Sequence, residues 1–118
     1  MYDIKEIVLQ NKQHKKKRLV ITFHDEAMAI VGEFLMTDVP LMDGEVVRTI
    51  NNVLKSGCNR ETFTGQRCHL QIAKEETVIS DLYADVDGMI PLQTYTINTV
   101  QLLKLINIWL KRLEQHSE

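Results

Sequence analysis

The feature that most constrains this chain is its last helix. The run NTVQLLKLINIWLKRLEQ, Asn98 to about Gln115, is the most apolar stretch present and has a defined start. Asn98 stands where an N-cap belongs, with an oxygen for the free N–H groups of the first turn. Gln101 is spaced to complete a capping box, and Ile97 and Leu102 are placed for a hydrophobic staple. Leu102, Ile106, Trp109 and Leu113 recur at helical spacing, and Leu103, Leu105, Ile108 and Leu110 widen the stripe. Lys111 and Arg112 fall in the last turns, where cations meet the negative end of the dipole. A stripe this wide needs a broad apolar neighbour, and a sheet is the natural one.

The upstream chain supplies strands. Residues 2–9, YDIKEIVL, are β-rich, and NKQHKKK at 11–17 suits an exposed hairpin connection. A second strand, Arg18–His24, alternates Leu19, Ile21 and Phe23 against Val20, Thr22 and His24. Asp25-Glu26 reads as a turn, followed by a third strand from about Ala27 to Met36, with Gly32 as a bulge or close backbone approach. Thr37-Asp38-Val39-Pro40 ends that sheet. A helix begins between Pro40 and Gly44, buries Val46, Val47, Ile50, Val53 and Leu54, and closes at Gly57. Asn59 to Gly65 reads as a loop. Strand four, Gln66–Lys74, turns Cys68, Leu70 and Ile72 inward and Arg67, His69 and Gln71 outward. Strand five covers Thr77 to Tyr83, where Val78 and Leu82 compete with Ile79 and Tyr83 for the core. Asp87-Gly88 marks a turn. Strand six, Ile90–Thr96, contains Pro91 and belongs at an edge or starts after the proline. The order β-β-β-α-β-β-β-α predicts one α+β domain over 1–118, two-layered, with an antiparallel sheet and two helices on one face.

Charge is unevenly spread. The formal charge is −2, yet Lys12, Lys15, Lys16, Lys17 and Arg18 hold five of the 14 basic residues. Without them nine basic residues face 16 acidic ones, a net of −7. The body is therefore acidic and carries one basic loop. That loop lacks aromatics to stack bases, so a solvated hairpin tip is favoured over nucleic-acid binding. Met1 is followed at once by Tyr2 and Asp3, so no secretory signal is expected, and no apolar run reaches membrane-spanning length. Cys58 and Cys68 make no disulfide framework, so a cytoplasmic chain with reduced thiols is expected.

Glu75, Glu76, Asp81, Asp85 and Asp87 lie within 13 residues that contain no Lys or Arg. They are the candidate partner-binding residues, a docking surface for a basic partner, against the plainer reading of a solvated rim. Asp81, a lone carboxylate in an apolar strand, is expected to face solvent or that partner. Cys68 and His69 are strand neighbours and point to opposite faces, so no metal site or cofactor is expected. His24, Asp25 and Glu26 form an acid–base cluster at a turn with no pocket implied. No phosphate loop, G-x-S-x-G or H-E-x-x-H occurs, and catalysis is not expected.

The stretch GQRCHLQIAKEETVISDLY followed by TINTVQLLKLINIWLKRLE resembles small bacterial immunity proteins of contact-dependent growth inhibition and related polymorphic toxin systems. The layout is also similar to a small enterobacterial family of unknown function. The likeness spans about Val46 to Glu114 and is one of layout, so no functional residue is carried over. It implies binding and blocking of a cognate toxin domain, often a nuclease, whose basic cleft an acidic partner would cover. The rival expectation is a non-catalytic interaction module or homodimer that uses a sheet edge or the wide helix face.

Overall fold

A computed structural model describes residues 1–10, 15–42, 44–55, 60–82 and 94–116. The last helix, α3, spans Thr99–His116. Asn98 caps it, its Oδ1 accepting from the Gln101 N–H at 3.0 Å. Thr99, Leu102, Ile106 and Trp109 are buried along one stripe. Ile108, expected to widen that stripe, is instead 42% exposed.

The stripe lies against an antiparallel sheet of order β3-β4-β5-β6, made of Arg60–Thr64, Cys68–Ala73, Glu76–Asp81 and Thr94–Asn98. Phe63, Leu70, Ile79 and Tyr95 form one row across it, and Ile72, Thr77 and Ile97 another. These rows face the helices. Thr62, Gln71 and Thr96 occupy the other face and are exposed, the usual division for an antiparallel sheet covered on one side. Ile79 is buried and Val78 only partly so, which settles the inward face of β5. β6 is an edge strand beginning at Thr94; residues 90–93 and the expected turn at Asp87-Gly88 lie outside the described residues, as does Gly57.

Upstream, β1 (Tyr2–Gln10) and β2 (Lys15–Phe23) form a separate antiparallel hairpin, in register from Tyr2↔Phe23 to Gln10↔Lys15. Helix α1 (Ala29–Leu41) packs on β2, and α2 (Glu45–Lys55) buries Val46, Ile50 and Val53. The architecture is two-layer α+β, with three α-helices among the described residues rather than the expected two.

Two segments exchange roles relative to the sequence reading. Ala27–Met36 is not a third strand: Glu26–Met28 is a single 3₁₀ turn that leads into α1. Asp25 starts it as an N-cap, its Oδ1 accepting from the Ala27 N–H at 2.9 Å. Ile30, Val31, Phe34, Leu35, Asp38 and Val39 are buried, a helical spacing. AMAIVGEFLM is apolar nearly all round, so a helix and a buried strand look alike there. Thr37–Pro40 continues the helix, with Pro40 tolerated in its last turn. Conversely, Arg60–Thr64 is strand β3 and not a loop. Only Phe63 is buried in it, so the alternation expected of a half-buried strand is nearly absent.

Candidate functional site

Of the acidic residues singled out by sequence, Glu75 and Glu76 do not share a surface with Asp81. Glu75 and Glu76 are exposed at the turn from β4 into β5. That turn is held from below by α3. The Thr99 N–H donates to the Glu75 carbonyl at 3.0 Å, and Thr99 Oγ1 donates to the Ala73 carbonyl at 2.6 Å. Thr77 Oγ1 lies 2.8 Å from Thr99 Oγ1 in the same buried cluster. Two carboxylates thus stand on a turn fixed to the first residue of a long helix.

Asp81 sits at the other end of β5, and the expectation that it faces solvent is overturned. It is 6% exposed and shares the inward face with Thr77 and Ile79. The strand period decides this: once Ile79 turns inward, Asp81 must follow. Arg67 pairs with it: Nη2 donates to Oδ2 at 3.2 Å, and Nε lies 3.1 Å from Oδ1. Arg67, expected outside, is therefore half-buried. Asp85 and Asp87 lie outside the described residues.

A second buried carboxylate escaped the sequence reading. Asp38, near the end of α1, is fully buried. Its Oδ1 accepts from the N–H groups of Gln66 and Arg67 at 2.8 and 2.9 Å, and its Oδ2 from Cys68 at 2.8 Å. Successive amides at a turn make an anion-binding concavity, and here the chain fills it with its own side chain. Gly65 allows this: a Cβ there would sit 2.4 Å from the Asp38 Cγ. Burial, with Asp38 and Asp81 nearby, pushes the Cys68 thiol up to about 12. A Gly-Gln-Arg turn before a strand, with an acid in an apolar upstream run, was the only available signal for this cluster.

Among the described residues no three His, Cys, Asp or Glu side chains gather as a metal site would require. His69 is half-buried on the face opposite Cys68, its Nδ1 2.7 Å from Thr64 Oγ1. The His24 cluster is dispersed: His24 Nε2 lies 3.0 Å from Asp3 Oδ2, while Asp25 caps the 3₁₀ turn. This contact with His24 holds the Asp3 carboxyl below its ordinary value.

Comparison of the chain with protein families, curated proteins and solved structures finds no match.

The remaining conspicuous surface is the far half of the hairpin. Lys15, Lys16, Lys17 and Arg18 of β2 are exposed there, and so are Ile7, Val8 and Leu9 of β1, at 39, 56 and 46%. The near half is anchored: Leu19 and Ile21 are buried, and Tyr2 meets Phe23 edge-on. Glu6 marks the boundary, with His116 Nε2 at 2.8 Å and Lys17 Nζ at 3.9 Å. No helix among the described residues is long and apolar enough to cross a membrane.

Proposed function

We propose that the protein is a cytoplasmic immunity protein that binds a basic toxin domain, a nuclease being the expected kind, and blocks it without chemistry of its own. The observation that carries this reading is the division of labour among carboxylates. Asp38 and Asp81, the acids held in a low-dielectric setting where chemistry is favoured, are already bound to backbone amides and to Arg67. Glu75 and Glu76 stand exposed on a turn that α3 holds in place. Fixed exposed carboxylates on an acidic body suit the cover of a cationic cleft, where complementary charge speeds encounter and rejects wrong partners. Asp81 is removed from the proposed contact, since its charge is spent on Arg67.

The test is co-expression with a candidate toxin domain, beginning with any that is encoded directly upstream. Wild-type protein should protect the cell. The double reversal E75K/E76K should fold with unchanged circular dichroism and protect poorly. Full protection by the folded double reversal would exclude the β4–β5 turn from the contact.

A further inference from the structure

We propose that two copies of this chain pair through the outer edge of β1, antiparallel about Val8, so that the two hairpins merge into one four-stranded sheet. The register of the hairpin decides which backbone groups of β1 face away from β2. The β1–β2 register is continuous, and its paired positions add to 25 throughout. The His24 N–H donates to the Met1 carbonyl at 3.0 Å, which fixes the phase of the ladder. In an antiparallel pair, hydrogen-bonded and non-hydrogen-bonded positions alternate. Odd-numbered residues of β1 therefore bond to β2, and Glu6, Val8 and Gln10 direct their N–H and C=O groups to the free edge.

Among the described residues, the part of that edge beyond Glu6 has no proline, bulge, charge or covering element. An exposed strand edge invites another strand unless a proline, a bulge, a charge or a covering element blunts it. Residues 7–9 are Ile-Val-Leu, uncharged and exposed, in a two-stranded sheet with no bulge in its register. The edge of β2 is different, because Lys15, Lys16, Lys17 and Arg18 line it. Two β2 edges brought together would oppose like charges, which destabilises a pair.

The β1 edge is self-complementary. With a two-fold axis through Val8, Val8 meets Val8, Ile7 meets Leu9 and Glu6 meets Gln10 of the second copy. No like charges face each other. Within each copy Lys17 lies opposite Val8, Lys16 opposite Leu9 and Arg18 opposite Ile7. The merged sheet therefore has an apolar centre with cations on both flanks, and the two Lys17 residues are three strand spacings apart, about 14 Å. The axis is normal to the sheet, so both bodies lie on one face at opposite ends. Each Tyr2 is six residues from the axis, about 20 Å at the usual rise. This pairing uses neither Glu75 nor Glu76 and does not depend on what those residues bind.

Light scattering on eluting full-length protein, followed across the micromolar range, tests the proposal. The mass should approach two chains as concentration rises. Val8→Pro removes an N–H that points away from β2, so the hairpin ladder survives while the shared edge is blocked. This variant should remain a single chain with unchanged circular dichroism. Should Val8→Pro fail to fold, Val8→Lys keeps the backbone intact, sets like charges on the axis and should likewise be monomeric. Wild-type protein that stays monomeric throughout overturns the proposal and leaves the edge to a strand of another protein. A dimer that persists in folded Val8→Lys also overturns it and moves the contact elsewhere.

Discussion

Asp38 and Asp81 are two acids in one core, and their partners give them different tolerances. Asp38 accepts from three successive amides, those of Gln66, Arg67 and Cys68. Asp38→Asn replaces one accepting oxygen with a donor aimed at a donor, and should cost about 3 kcal/mol in urea denaturation. Gly65→Ala should also destabilise, because the new methyl would meet the carboxylate that the turn wraps. Cys68 beside them makes stability depend on alkaline pH. Its thiol ionises near 9 in the unfolded chain and at about 12 in the folded one. Between those values unfolding releases a proton, so stability falls as pH rises. From pH 9 to about pH 10.5 the contribution reaches roughly 2 kcal/mol. Urea midpoints over that range should drop further for wild-type protein than for Cys68→Ala. Parallel curves would mean that the folded thiol ionises normally. Trp109 is 1% exposed, and Trp109→Ala should cost about 3–5 kcal/mol. Among the described residues its Nε1–H has no acceptor, so Trp109→Phe should cost far less than Trp109→Ala.

At the scale of elements, each turn of the sheet's central hairpins is captured by a helix. Asp38 of α1 holds the β3–β4 turn, and Thr99 of α3 holds the β4–β5 turn. Removing either grip should loosen the turn more than the helix. Thr99→Val keeps the shape but loses the Ala73 and Thr77 contacts, and amide exchange should quicken first around Glu75 and Glu76. Asn98→Ala, which deletes the α3 cap, should cost about 1 kcal/mol. What the sequence disclosed follows from the same scale. α3, β2 and β4 were legible because their apolar residues keep one period and their ends carry turn or cap residues, and β1 because its residues favour strands although they alternate only loosely. α1 was not, since AMAIVGEFLM has no polar face to reveal a period. β3 was not, since RETFT turns only Phe63 inward. Asp81 was misplaced for a related reason: Val78 and Leu82 compete with Ile79 and Tyr83 for the core, so hydropathy leaves the inward face of β5 open, and a lone carboxylate is then expected outside. Arg67, fourteen residues away, supplies the partner that makes burial of Asp81 affordable, and no local pattern announces it.

For the whole molecule, charge is sorted by place. Acids needed by the fold are inside, Glu75 and Glu76 are outside on a fixed turn, and the cations of β2 occupy an arm that reaches past the core. On this account Asp81→Lys should unfold the protein or lower its melting temperature sharply, because it sets a cation against Arg67. E75K/E76K should leave the melting temperature unchanged. The central claim, inhibition by a charge-guided contact at the β4–β5 turn, is tested most directly by the association rate with the purified toxin domain at rising salt. Association should be fast and slow steeply with salt, and E75K/E76K should associate more slowly than wild type at low salt. An association rate that is equal for the two proteins and insensitive to salt would contradict that claim.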